Sequence, residues 1–185
     1  MTCEIDGAIL QGRAENVKRM LRPLIDKQNP LAVEIVERQP VLTMAALSGR
    51  RLLSHYSDWR FNTYVRGIRA GYYERWSPTD NTRRRYYFVR GYLHVFRTLG
   101  AFRDATEEQV LALHCDPNEP RGEPHARYKQ GPHLHISAAG SPINESHLAL
   151  NHSHLDEVLS SFESLCAAWD DSIKLVRDEI LALYQ

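Results

Sequence analysis

Two short histidine motifs in the second half of the chain have the residue types and spacing for chemistry. The first is the run H-L-H from His133 to His135, and the second is the run H-C-D from His114 to Asp116. Because side chains alternate between the two faces of a β-strand, His133 and His135 share one face of their strand. His114 and Asp116 share a face of theirs for the same reason. If the two strands pair antiparallel, three imidazoles and one carboxylate face each other across the ladder.

These motifs allow three interpretations. Three nitrogen ligands and one oxygen ligand suit zinc, or manganese where a coordination position stays open. Without a metal, the same imidazoles are candidates for general acid–base catalysis or phosphate contact, with the carboxylate orienting one of them. The third interpretation is a set of solvated polar residues, because such motifs arise by chance in a chain with nine histidines. The candidate catalytic residues are therefore His133, His135 and His114, and the candidate metal ligands are His114, Asp116, His133 and His135.

The formal net charge of zero hides a strong segregation of charge along the chain. Residues 50–103 hold twelve arginines, no lysine and three acidic residues, whereas residues 104–185 hold five basic and fourteen acidic residues. Arginine forks match phosphate oxygens, and the aromatic residues interleaved with them can stack on unpaired bases. The basic segment therefore predicts contact with nucleic acid or another polyanion. The candidate residues are Arg83, Arg84, Arg85 and Arg90. The alternative is that the two segments neutralise each other within the fold or between subunits.

Three segments must position these motifs. Residues 1–56 predict short helices, because apolar residues recur there at spacings of three and four. Residues 57–140 predict mainly β structure, a small antiparallel meander of three to four strands. Residues 153–184 predict one long helix, since their apolar positions follow heptad-like spacing without glycine or proline. The sequence therefore predicts a single α+β domain over residues 1–185.

Length and composition set the broad class. A chain of 185 residues with 43% hydrophobic and 25% charged residues is long enough for one well-cored domain. It contains no apolar run of about 18 residues, so no membrane span is expected. Three cysteines without a CxxC pair, and a first segment without the features of a secretory signal, favour a cytoplasmic location.

The C-terminal helix suggests a partner. A helix of about thirty residues is roughly 45 Å long, whereas three or four strands span only roughly 15–20 Å. Its apolar seam would then overhang the sheet unless the N-terminal helices covered it, and we expect a homodimer or another protein partner there.

Two functions remain open at the level of sequence. The leading hypothesis is a small cytosolic hydrolase, a nuclease or phosphodiesterase acting on RNA or a nucleotide through a histidine site that is metal-dependent or metal-free. The alternative is a non-catalytic interaction or regulatory protein that binds a partner through the C-terminal helix and the arginine- and aromatic-rich segment. Motifs for dinucleotide, P-loop, α/β-hydrolase and HExxH zinc sites are absent from the sequence.

Overall fold

The computed structural model of the protein describes residues 4–26, 31–38, 41–48, 55–82, 84–100, 106–118, 122, 126–137 and 145–184. Most of them lie in nine strands: β1 (Glu4–Asp6), β2 (Leu31–Arg38), β3 (Val41–Ser48), β4 (Phe61–Asn62), β5 (Ile68–Pro78), β6 (Arg85–Leu99), β7 (Thr106–Cys115), β8 (His133–Ser137) and β9 (Glu145–Ala149). The strands form one antiparallel sheet in the order β2-β3-β5-β6-β7-β8-β9, to which β1 adds beside β6 and β4 beside β5.

The helices of the described ranges are few. They are α1 (Ile9–Leu21), α2 (Ala126–Gln130), α3 (Leu155–Val158) and α4 (Phe162–Leu175). The path of α4 continues as a π turn over Val176–Ile180 and a 3-10 turn over Leu181–Tyr184. Further 3-10 turns cover Arg22–Leu24, Tyr56–Asp58 and His152–His154. No helix in the described part of the chain has the length and apolar character needed to cross a bilayer.

The predicted fold of short N-terminal helices and a small meander of three to four strands is wrong. The segment 31–48 forms β2 and β3, and within the described residues α1 is the one α-helix that remains of the expected helical segment 1–56. The reason lies in burial: every described side chain of β3, from Thr43 to Leu47, is buried. A strand buried on both faces is apolar at consecutive positions, so its pattern also satisfies helical spacing.

The long C-terminal helix is present but begins later than residue 153. A turn follows α3, and Ser161 then caps α4 by accepting a hydrogen bond from the backbone N–H of Ser164 at 3.0 Å. Much of the apolar seam of this helix is buried within the chain, with Trp169, Ile173 and Val176 at most 1% exposed, whereas Leu183 at its end is 81% exposed. The predicted homodimer or other protein partner stays a prediction.

Trp169 of α4 packs closely over Gly91 of β6. A Cβ atom at this position would lie 2.9 Å from the Phe88 ring and 3.2 Å from the indole of Trp169. Both distances are too short for any side chain to be added without movement of the aromatic rings. The glycine is therefore what lets α4 rest directly on the middle of the sheet.

A buried ion pair ties the helices to the same face. Arg13 of α1 lies 2.6 Å from Glu74 of β5, and the two side chains are 5% and 0% exposed. Glu74 also accepts hydrogen bonds from the Tyr72 hydroxyl and, at 3.3 Å, from the Trp76 indole, and Tyr72 accepts one from Trp169 of α4 at 3.0 Å. Burial alone would lower the pKa of Arg13, but the neighbouring Glu74 carboxylate outweighs it, so the pKa is raised and the charge is retained.

Substitutions at the two members of the ion pair test its contribution to stability. Glu74→Gln keeps the hydrogen-bond acceptor but leaves the buried Arg13 with only the longer, partly exposed contact to Asp170 at 3.6 Å, so the free energy of unfolding should fall by about 3 kcal/mol. Adding Arg13→Met to Glu74→Gln should restore part of that loss, because the stranded charge is removed. Urea unfolding measures both changes.

The control is Glu108→Gln, which breaks an exposed pair with Arg97 of 2.9 Å and should cost less than about 1 kcal/mol. An equal loss for Glu74→Gln and Glu108→Gln would contradict the role given to the buried pair.

Candidate metal centre

The face of the sheet opposite α1 and α4 carries the histidines. Leu113 and Leu134 point into the core beneath the helices, so their neighbours along β7 and β8 point the other way. The predicted antiparallel pairing of these two strands is confirmed, and His114 lies opposite His133. We name this surface the histidine face, defined by His94, His114, His133, His135 and His147.

Three imidazoles converge at its centre, and we name them the histidine cluster: His114, His133 and His135. One ligand nitrogen from each lies within 4.8 Å of the other two. The ring centroids of His114 and His135 are 4.3 Å apart, and those of His133 and His135 are 4.9 Å apart. Nitrogen ligands sit about 2.0–2.1 Å from a zinc ion, so two of them lie roughly 3–4 Å apart. The separation of up to 4.8 Å in the cluster is therefore somewhat wider than the spacing around a bound zinc ion.

The orientation of His133 is fixed by the backbone. Its Nδ1 lies 2.9 Å from the carbonyl oxygen of Gly131, and the side chain is 2% exposed. Because a carbonyl oxygen only accepts, Nδ1 carries the proton and Nε2 carries the lone pair. Metal-bound histidines commonly donate their second ring nitrogen to a carbonyl in this way.

His94, which the sequence analysis did not select, also belongs to this site. Its Nε2 lies 2.9 Å from the Nε2 of His114, so one ring donates to the other. His94 therefore orients His114 from the β6 side. The signal for it was present in the sequence, because Tyr92 and His94 alternate onto one face just as His133 and His135 do.

Burial makes these imidazoles weak bases. Loss of hydration, and after it the neighbouring His135 and His94, lower the pKa of His114 to about 2. Burial first, and then His133, lowers the pKa of His135 to about 4. Burial and then the positive charge of Arg60 lower the pKa of His94 to about 4. All three rings are neutral at pH 7.

Neutral rings discriminate between two of the predicted chemistries. A general acid must hold a proton near the working pH, and an imidazole with a pKa of about 2 holds none there. A metal ligand, in contrast, must be neutral with its lone pair available. The cluster therefore suits metal ligation better than metal-free acid–base catalysis.

Asp116 does not join the cluster. Its carboxylate accepts a hydrogen bond from the Tyr92 hydroxyl at 3.0 Å and lies 3.7 Å from the Nε of Arg90. Tyr92 in turn accepts from Arg90 at 3.2 Å, and its ring stacks on His114 with centroids 4.0 Å apart. The structure thus brings together the three predicted histidines and places Asp116 and Arg90 beside them on the same face.

Several arginines of the basic segment form ion pairs with carboxylates of the same chain. Arg60 and Arg69 both contact Glu107, at 3.4 and 2.6 Å, and Arg85 lies 3.3 Å from Glu4 of β1. Arg84 and Arg85 are exposed at the start of β6, and Arg83 lies outside the described residues. Partners from the acidic segment therefore neutralise part of the basic segment, as the alternative interpretation expected.

A cavity opens beside the cluster. It has a volume of about 730 Å³, and its lining includes His133, His147, Ala149, Tyr128 and His152. The rings of Tyr128 and His152 stack at its wall with centroids 5.0 Å apart. The volume is within the range of small-molecule sites, and a ligand bound there would contact a histidine of the cluster directly.

No protein-family model, no curated protein and no solved structure matches this chain. What the histidine cluster does is therefore inferred from its own geometry and electrostatics.

The lowered pKa values predict acid lability of the metal-free protein. Above about pH 6.5, a histidine is neutral in the folded and in the unfolded protein. Below that pH, His94 and His114 bind a proton in the unfolded chain but stay neutral in the folded protein, because their pKa values there are lowered. Stability should therefore fall as the pH decreases from about 6.5 toward 4, by at most about 1.4 kcal/mol per pH unit for each histidine.

Chemical unfolding in chelator at a series of pH values measures this slope. The pair of substitutions His94→Gln and His114→Gln should flatten it, whereas His55→Gln, at an exposed position, should not. A wild-type slope unchanged by the paired substitutions would show that these rings are not the buried neutral bases.

Proposed function

We propose that the chain is a metal-dependent hydrolase of phosphodiesters and that His114, His133 and His135 hold its metal ion. One observation carries the proposal: ligand nitrogens of three imidazoles converge within 4.8 Å on one face of the sheet. Three histidine ligands that leave a position for water are typical of catalytic rather than structural zinc sites.

The ligand set favours zinc over manganese. Imidazole nitrogens suit zinc, whereas manganese prefers carboxylate and carbonyl oxygens. Since Asp116 is engaged with Tyr92 and Arg90, the nearest ligands are all nitrogens. The hydrogen bond from His133 to Gly131 supports the same assignment, because it presents Nε2 as the metal-binding nitrogen.

The chemistry that such an ion supplies is a nucleophile at neutral pH. A zinc ion held by His114, His133 and His135 would lower the pKa of a bound water to about 7 and so would supply the nucleophile. In the overall reaction, water would add to phosphorus as the bond to the alcohol leaving group breaks, with one water proton passing to solvent and the leaving oxygen taking a proton from solvent. The products would be a phosphomonoester and an alcohol.

The surroundings of the cluster support an anionic substrate of moderate size. The cavity of about 730 Å³ reaches His133 and has stacked aromatic rings at its wall, which suits a nucleobase. Arg90 supplies a positive charge on the same face. RNA or a nucleotide is the substrate that combines these features.

The cellular setting proposed for this activity is the cytoplasm. Among the described residues, Cys115 and Cys166 are not joined in a disulfide bond. Cysteines that are not in disulfide bonds are typical of proteins in reducing compartments. The first measurement of the protein should therefore be made with reduced thiols and with added metal rather than under oxidising conditions.

Metal titration tests the site. Metal-free protein should bind one equivalent of Zn²⁺ or Co²⁺, and His135→Ala should weaken binding by more than about 100-fold, since loss of even an outer partner costs 10–100-fold. His152→Ala is the matched control, because His152 lines the cavity but lies outside the cluster. Wild-type protein that binds neither ion at millimolar concentration would refute the metal site.

Activity tests the reaction. The zinc-loaded protein should hydrolyse bis(p-nitrophenyl) phosphate and single-stranded RNA, and His114→Ala should abolish both activities. If one equivalent of metal binds but neither substrate is hydrolysed, the hydrolase assignment fails while the metal site stands. That outcome would favour the non-catalytic, regulatory alternative.

A further inference from the structure

Two arginines face each other beside the histidine cluster, and we name them the arginine pair: Arg75 and Arg90. Arg75 of β5 lies directly opposite Arg90 of β6 in the antiparallel register. Arg75 lies on the same face of β5 as Tyr73. The rings of Tyr73 and Tyr92 pack against each other on the histidine face, with centroids 5.1 Å apart. Like charges placed opposite each other on a ladder destabilise it, so this arrangement needs an explanation.

The protein compensates only one of the two charges. Arg90 lies 3.7 Å from Asp116 and donates to the Tyr92 hydroxyl. Arg75 forms no ion pair or hydrogen bond with any residue that the structure describes. The Nε atoms of Arg75 and Arg90 are both buried and have no hydrogen-bond partner among those residues. The group therefore carries a net positive charge and unmet donors.

Both side chains are half-buried, and the two buried Nε–H donors are the ones that no described residue satisfies, although a bound ligand could accept from them. Among the half-buried arginines that the structure describes in this segment, Arg60, Arg69 and Arg90 each lie within 4 Å of a carboxylate, whereas Arg75 does not. The exposed Arg66 and Arg84 also have no such partner in the described part of the chain, but water reaches them. Two guanidinium forks supply parallel N–H donors that match a tetrahedral oxyanion, whose oxygens accept two bonds from each fork.

The location links the pair to the proposed reaction. Tyr92 spans the two sites, since its hydroxyl accepts from Arg90 while its ring stacks on His114 with centroids 4.0 Å apart. A group bound by the arginines therefore lies one tyrosine side chain away from the histidine cluster. A substrate that bridges this separation needs a second phosphate next to the one that is cleaved.

We infer that Arg75 and Arg90 form a phosphate-binding subsite that holds the phosphate adjacent to the scissile one. The inference rests on the proposed hydrolase function for its place in the reaction, but not for the anion binding itself. It assigns the substrate to compounds with at least two phosphates, which are oligonucleotides or nucleoside polyphosphates.

Phosphate binding to the metal-free protein tests the subsite alone. In chelator, inorganic phosphate titrated by calorimetry should bind the wild-type protein, and Arg75→Gln should weaken binding by about 10- to 100-fold, as expected for lost charge-assisted hydrogen bonds. Arg75→Lys should recover only part, because a point charge replaces a fork. Arg97→Gln, on the same strand as Arg90 but paired with Glu108, is the matched control.

The outcomes are separable from those of the metal titration. Phosphate binding that is absent from the wild type, or equal in wild type and Arg75→Gln, overturns the subsite even if zinc binds. Loss of phosphate binding in Arg75→Gln with unchanged zinc affinity supports it even if no hydrolysis is found. Arg90→Gln gives a second, independent variant should Arg75→Gln fail to fold.

Substrate comparison tests the placement next to the scissile phosphate. The wild-type enzyme should have a lower KM for the dinucleotide pUpU, which has a second phosphate, than for UpU. Arg75→Gln should remove that preference by raising the KM for pUpU to the level of UpU, whereas Arg97→Gln should keep it. A preference for a nucleoside triphosphate over pUpU identifies the polyphosphate source instead. Equal KM values for pUpU and UpU in the wild type would overturn the placement.

Discussion

The architecture depends on the buried ion pair between Arg13 and Glu74. A carboxylate that is 0% exposed is tolerable only with a charged partner and further donors, and α1 supplies the arginine while the sheet supplies Tyr72 and Trp76. Through Tyr72 the same network reaches Trp169 of α4. Both long helices are thereby held on one face of the sheet, and the opposite face is left for polar side chains.

The two faces are consequences of the same alternation along the strands. In β5, Tyr72 and Glu74 point toward the helices, while Tyr73 and Arg75 point to the histidine face. A shift of one residue in register would exchange them and would bury the arginine beneath the helices. The core network therefore fixes which side chains can reach the site, although none of its members touches a histidine of the cluster.

The sequence predicts the placement of the three histidines better than it predicts the fold, and there is a physical reason. Alternation within β7 and β8 is a local property, so it places His114, His133 and His135 on one face once the two strands pair. The number of strands depends on long-range pairing. β3 is buried on both faces and mimics helical spacing, and β9 is too short and too polar to stand out. Arg75 was missed because its neighbours in the sequence do not show that it lacks a carboxylate partner. That becomes visible only when the pairing of β5 with β6 places Arg90 opposite it.

Tyr92 joins the two halves of the histidine face into one unit. Its ring stacks on His114, and its hydroxyl donates to Asp116 while it accepts from Arg90. Burial raises the pKa of this tyrosine, as does the nearby Asp116, so the hydroxyl stays protonated and remains a donor. A movement of the Arg90 side chain would therefore shift Tyr92 and, through the stacked ring, His114. The imidazole of His114 and the guanidinium of Arg90 therefore lie a single side chain apart, and both the proposed metal site and the proposed phosphate subsite depend on the position of Tyr92.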